Sequence, residues 1–103
     1  MAKKIPVLLP SVEKSLKIAG ENIRLARLRR DLSAQIVAER AGISRQTLSS
    51  LENGSSSVSV ATWIQVLFVL GLEKDIQNIA KDDVLGQKLQ DLKLPVRRRA
   101  RKR

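Results

Sequence analysis

The chain of 103 residues contains no cysteine and no histidine. These absences exclude disulfide scaffolds, zinc fingers, thiol nucleophiles and imidazole general bases, and with them most enzyme mechanisms. Tyrosine is also absent, and aromatic residues make up only 2% of the chain. Recognition of single-stranded nucleic acid depends on aromatic side chains that stack on bases, so this composition argues against that class of ligand.

Long apolar runs are missing as well. The densest one, residues 60–72, is too short to cross a bilayer, and the first ten residues form a proline-interrupted run instead of a signal peptide. The sequence has no Gly-Lys-Ser/Thr phosphate loop, and the adjacent carboxylates Asp82 and Asp83 lie in a segment without the apolar pattern of a pocket. We therefore expect a cytoplasmic protein without a membrane segment, catalytic residues, metal or cofactor.

Positive charge is abundant, since 20 lysines and arginines outweigh 10 aspartates and glutamates and give a net charge of +10. This excess indicates a polyanionic partner. The length fits one folded domain, predicted at residues 11–81, with an extended arm at residues 1–10 and a C-terminal segment at residues 82–103. That segment ends in a basic tail, which consists of Arg97, Arg98, Arg99, Arg101, Lys102 and Arg103.

Helical spacing of apolar residues predicts helices through most of the domain. The first is expected over residues 12–30, weakened by Gly20 in its interior. Beyond the domain, leucines three or four residues apart predict a short amphipathic helix, followed by Pro95 and a disordered basic tail. These leucines are Leu85, Leu89 and Leu92.

The fourth helix, at about residues 59–70, is apolar on nearly all sides. The face assigned to the core consists of Val60, Trp63, Ile64, Leu67, Phe68 and Leu70. Val66 and Val69 lie outside this face. They predict either a dimer or partner interface, or a fifth helix at residues 73–80 that folds back over them.

A helix-turn-helix is indicated by residues 34–52. Ala38 is small enough for two helices to approach closely, and Gly42, four residues later, supplies the turn. Together with the segments Ala38-Glu-Arg-Ala-Gly-Ile-Ser44 and Leu48-Ser-Ser-Leu-Glu-Asn-Gly54, this pattern resembles the lambda-repressor-like (Cro/repressor, XRE) family. The resemblance covers about residues 16–80. It implies a compact all-α bundle of five helices, in which residues 45–52 form a recognition helix in the major groove of double-stranded DNA.

The resemblance also implies residue roles. Arginine suits the edge of guanine, glutamine that of adenine, and hydroxyl side chains add further contacts. Base contacts are implied for Arg45, Gln46, Thr47 and Ser50, and phosphate contacts for Ser33, Gln35, Ser44, Ser49 and Asn53.

Two positions, Ala34 and Ile36, depart from the family pattern, and a third residue, Arg27, has two possible roles. Ala34 replaces the usual phosphate-contacting glutamine, so that contact is lost or passes to Gln35. Ile36 replaces the glutamate of a capping box and is a further candidate for a protein contact. Arg27 is expected to pair with Glu52 and fix the recognition helix, with a phosphate contact as the alternative.

The C-terminal segment carries a second resemblance. Leu89-Gln-Asp-Leu92, followed by Leu-Pro and arginines, resembles the end of HipB-type antitoxins. This implies a bacterial homodimer that binds an inverted-repeat operator, represses its own operon at the nucleoid and binds a HipA-like serine/threonine kinase toxin. The alternatives are a stand-alone XRE repressor and a basic bridging or RNA-associated factor.

The basic tail has three interpretations. It is an arm that adds sequence-independent DNA affinity, a contact for an acidic partner, or a solvated segment that affects only turnover. We favour the first.

Overall fold

The computed structural model describes residues 7–101, with side chains described for residues 7–93. These residues form six helices and no strand, which confirms the all-α fold class. The helices are α1 (Pro10–Arg29), α2 (Ala34–Ala41), α3 (Arg45–Glu52), α4 (Val60–Leu70), α5 (Lys74–Gln77) and α6 (Val84–Arg101).

The first helix begins earlier than the sequence predicts. Leu9 is its N-cap, without a capping side chain, and Pro10 is its first residue. Proline fits this position because the first N–H groups of a helix have no partner within it. The prediction of an extended arm is therefore wrong at Pro10, and residues 1–6 of that arm lie outside the described residues.

The core lies between α1, α2, α3 and α4. The extensive contacts between helices are α2 with α4, α1 with α3, α2 with α3 and α1 with α4. Ten buried apolar side chains fill the space between them: Ile23, Ala26, Val37, Ala38, Ala41, Leu48, Leu51, Val66, Leu67 and Leu70. At about 25 cal/mol per Å² of apolar surface, their burial is the main source of stability.

The core face of α4 differs from the predicted one. Phe68 is 66% exposed and Val60 is 65% exposed, whereas Val66 is 0% exposed. The predictions of a core role for Phe68 and Val60 and of an interface role for Val66 are therefore wrong. Since α4 is apolar all round, its periodicity does not select a face, and packing against α2 decides which residues are buried.

The predicted fifth helix is shorter than expected. It spans only Lys74–Gln77, and its Ile76 is half-buried against the core. Val69 is also half-buried against the core. Val66 is therefore buried on the helix that contacts α2 extensively. α5 has no extensive contact with α4 among the described residues, so it does not fold back over Val66 as the second alternative predicted.

The C-terminal segment forms one continuous helix. Its first turn is capped by Asp83, whose Oδ1 accepts a hydrogen bond from the Gly86 N–H at 2.9 Å. The helix continues past Pro95 to Arg101, so the prediction of a disordered tail is wrong for Arg97, Arg98, Arg99 and Arg101. The residues on both sides of Pro95 include arginine, leucine, lysine and alanine, which have high helix propensities, whereas proline itself disfavours a helix interior. Lys102 and Arg103 lie outside the described residues.

Among the described residues, α6 takes part in none of the extensive contacts between helices. The Cα radius of gyration, 18.1 Å, exceeds the roughly 13 Å of a compact chain of this length. Among the residues described, no helix is long and apolar enough to cross a bilayer.

Candidate nucleic-acid interface

The turn between α2 and α3 depends on Gly42. Its φ of 73° is in the left-handed region, which residues with a Cβ rarely adopt. The Gly42 N–H donates to the Glu39 carbonyl at 3.1 Å, and the Ile43 N–H donates to the Ala38 carbonyl at 3.0 Å. These bonds satisfy the last carbonyls of α2, as in a Schellman motif. Ala38 is buried beside this turn, so α2 and α3 pack closely.

A buried ion pair joins α1 to α3. Arg27 Nε lies 2.8 Å from Glu52 Oε2, and Arg27 Nη2 lies 3.1 Å from Glu52 Oε1. The two side chains are only 11% and 8% exposed. The hydrogen bond with Glu52 raises the pKa of Arg27, although burial acts in the opposite direction. Arg27 Nη1 also donates to the Leu32 carbonyl at 3.0 Å, so one guanidinium connects α1, the loop before α2 and the end of α3.

A close backbone contact, which sequence reasoning missed, accompanies this ion pair. Gly20 is buried against the end of α3, and a Cβ there would lie 2.5 Å from the Leu51 carbonyl oxygen and 2.6 Å from that of Glu52. Only glycine fits such an approach. The signal in the sequence is a glycine inside an otherwise regular amphipathic helix, which by itself indicates only a loss of helix propensity.

Most of the predicted DNA-contacting residues lie on or next to α3. Arg45, Gln46 and Ser49 line a shallow groove together with Ala34, Arg27 and Glu52. Arg45 and Gln46 are exposed in the first turn of α3, while the ion pair forms part of the groove wall. The guanidinium of Arg45 is therefore free to reach a base edge while that of Arg27 is engaged.

Thr47 and Ser50 are arranged differently. Both are half-buried and line a second groove, which they share with Ser57, Val58, Ser59 and Thr62. The Ser44 hydroxyl donates to Thr47 Oγ1 at 2.9 Å. The Thr47 hydroxyl can therefore donate its own hydrogen to an acceptor on a bound ligand. The four predicted base-contacting residues thus divide between two adjacent grooves of α3.

The residues predicted to contact phosphates lie at helix ends or on exposed faces. Ser33 Oγ accepts from the Ile36 N–H at 3.1 Å, and Ser44 Oγ accepts from the Thr47 N–H at 3.0 Å. Asn53 is the exposed C-cap of α3. The amino-terminal cap of α2 therefore forms without the glutamate of a capping box, because Ser33 alone satisfies one N–H.

Two further predicted positions lie on the exposed side of α2. Gln35 directs its amide toward Glu39, at 3.4 Å, and the Ile36 side chain is 36% exposed. Neither side chain lines the groove beside α3.

Comparison with known protein families identifies a helix-turn-helix region. A family model described as "Helix-turn-helix" matches residues 23–77, which is just over half of the chain. The matched region runs from the middle of α1 to the end of α5 and contains the whole of α2, α3 and α4. No curated protein and no solved structure matches the chain.

Proposed function

The chain belongs to the Cro/XRE-like helix-turn-helix family of DNA-binding regulators, and we propose that it is an antitoxin that represses its own operon. In this proposal α3 reads an inverted-repeat operator in the major groove of double-stranded DNA. The regulator acts as a homodimer in the bacterial cytoplasm and is nucleoid-associated when bound. It also binds and neutralises a HipA-like serine/threonine kinase toxin.

The exposed first turn of α3 is the observation that carries the DNA-binding part. Arg45 and Gln46 are both exposed there, in a helix that the buried Arg27–Glu52 pair holds at its other end. A bidentate arginine contact with guanine discriminates by about 1–3 kcal/mol, and glutamine makes the corresponding contact with adenine. Rigid support of the helix favours specificity because it fixes where these side chains point.

Selection of binding sites from a random pool of duplexes tests this part directly. We expect an inverted repeat with half-site centres one helical turn, about 34 Å, apart or a multiple of that. Replacement of Arg45 by alanine is expected to cost about 1–3 kcal/mol on the selected operator and to relax specificity at one base pair. The matched control is Arg40→Ala, which removes the same charge from an exposed position of α2. Equal effects of the two variants would contradict base reading by Arg45.

The exposed face of α4 supports a homodimer. Phe68 and Val60 are largely exposed, and Ile64, four residues from each, is half-buried. Residues four apart lie on one side of a helix, so these three form an apolar stripe. One short recognition helix buries little surface, so tight and specific binding needs two copies. We assign the dimer contact to this stripe in place of Val66, with Val69 beside it and Ile36 as a separate partner contact.

The exposed leucines of α6 support a protein partner. Leu85 is 68% exposed, Leu89 is 49% exposed and Leu92 is 81% exposed, and α6 takes part in no extensive helix contact. Their spacing of four and three residues places them on one side of the helix, with Lys88 and Lys93 also on α6. Such a face fits an apolar groove with acidic edges. The kinase itself is inferred from the HipB-type resemblance.

An affinity pull-down from native cells after nuclease treatment tests the partner. We expect a stoichiometric kinase to co-elute with the wild-type protein and to be lost with Leu92→Glu. The matched control is Gln90→Glu, which adds the same charge at another exposed position of α6. If no partner co-elutes with the wild-type protein, the antitoxin proposal is wrong. The second candidate function, a stand-alone XRE repressor, then takes its place.

A further inference from the structure

The first 13 residues of α1, residues 10–22, lie outside the region that the family model matches. The match begins at residue 23, whereas α1 begins at Pro10. This extension packs against the chain that follows α3. Gly54 is buried with a φ of 77°, and a Cβ on it would lie 2.6 Å from Lys17 Cα and 2.7 Å from Lys17 N. The backbone of Lys17 therefore lies directly beside the end of the recognition helix.

Lys17 lies on the edge of α1 that faces α3. It precedes Gly20 by three residues and Arg27 by ten, and both of those residues contact the end of α3. These spacings place all three on one side of an α-helix.

The Lys17 side chain is exposed and carries an available charge. The carboxylate four residues later, Glu21, is paired with Arg24 at 3.1 Å. Within residues 7–93, Lys17 itself forms no ion pair.

The exposed face of α3 leads toward this lysine. Gln46 and Asn53 are seven residues apart, about two helical turns, and so lie on the same face. Gly54 follows Asn53 directly and is buried against the backbone of Lys17, so the exposed Lys17 side chain lies near the Asn53 end of this face. Lysine side chains next to a groove-binding helix are typical phosphate contacts in protein–DNA complexes.

We propose that Lys17 binds a DNA phosphate next to the one that Asn53 contacts, so that the extension of α1 lengthens the footprint of the domain. The proposal rests on DNA binding by α3 and adds a contact from outside the family-matched region. Lysine acts here as a point charge and carries no sequence information. Its contribution is therefore equal on the operator and on unrelated duplexes.

The test compares Lys17→Gln with Lys74→Gln in the full chain. Both variants remove one exposed positive charge, but Lys74 lies on α5, away from the α3 contacts. Affinity for the selected operator and for a random duplex is measured across a range of salt concentrations. For Lys17→Gln we expect the slope of log K against log salt to fall by about 0.9 on both duplexes. If the variant and the wild type bind equally at 1 M salt, the same relation predicts that the variant binds about fivefold more weakly at 0.15 M salt.

Further measurements separate a phosphate contact from other roles. Lys17→Arg is expected to retain the wild-type slope, because the charge is kept. The thermal midpoint of Lys17→Gln is expected to match that of the wild type, since the side chain is exposed. Equal slopes for Lys17→Gln and Lys74→Gln would overturn the proposal, and so would a loss confined to the operator. If the wild-type protein binds no duplex, DNA binding itself fails, which is distinct from binding that does not depend on Lys17.

Discussion

The family-matched bundle and α6 differ in what supports their helices. Within the bundle each of the four longer helices is fixed by buried side chains, and α3 is held by an ion pair and a close backbone contact as well. In α6 the described leucines are exposed, and the helix depends on a cap at Asp83 and on its own residue propensities. A surface for reading DNA must be rigid to discriminate bases, whereas a helix with an unpartnered apolar face is suited to bind another protein.

The largest expected effect comes from removal of Glu52, which supports α3 within the bundle. Glu52→Ala leaves Arg27 buried without its partner, which typically costs 3–5 kcal/mol. The matched control is Glu21→Ala, which breaks the exposed pair with Arg24 and is expected to change the free energy of unfolding by at most about 0.5 kcal/mol. Urea unfolding followed by circular dichroism measures both. A similar loss in the two variants would contradict the supporting role of the buried pair.

The pKa of Arg27 determines how the contribution of this ion pair to stability varies with pH. Its hydrogen bond with Glu52 raises the pKa of Arg27, so Arg27 holds its proton more tightly in the folded state. A group whose pKa is raised on folding contributes stability that is complete below its unfolded pKa and is lost as the pH rises through its folded pKa. For an arginine that window is strongly alkaline. We therefore expect this contribution to be constant at and near neutral pH.

An intermediate effect is expected at the apolar stripe of α4. Phe68→Lys is expected to convert a dimer to a monomer at micromolar concentration, because it places a charge on an exposed apolar surface. The unfolding free energy of the monomer is expected to change by no more than about 0.5 kcal/mol. The control is Gln65→Lys, an exposed position of the same helix. Sedimentation velocity distinguishes the two states, and an unchanged dimer would exclude this stripe as the interface.

The parts of the fold that the sequence predicted depend on local chemistry. The turn at Gly42 is set by a single residue and its neighbours, and it is present at its predicted position. The partner of Arg27 was expected from the resemblance, because Glu52 occupies a fixed position in that motif.

The parts that the sequence did not predict depend on tertiary contacts. An all-apolar helix gives no signal as to which side is buried, so Phe68 and Val66 were assigned to the wrong environments. The close approach at Gly20 is visible only when the end of α3 is in place. The extent of α6 is longer than predicted for a different reason, since proline disfavours a helix interior and so predicts an end at Pro95, whereas the helix continues through it to Arg101.

The smallest effect on stability, together with a clear effect on affinity, is expected from the basic tail. Replacement of the arginines and lysines at 97–103 by glutamine removes six positive charges without shortening the chain. Because the described part of α6 has no extensive contact with the bundle, we expect an unchanged midpoint of bundle unfolding.

If the tail lies along DNA, its removal lowers affinity for operator and random duplexes alike. The slope of log K against log salt then falls by about 0.9 for each phosphate that the tail neutralises. If the slope is unchanged and the partner no longer co-elutes, the result would instead indicate that these charges contact an acidic surface of that partner. The tail variant therefore tests whether α6 serves the same ligand as α3 or a separate one.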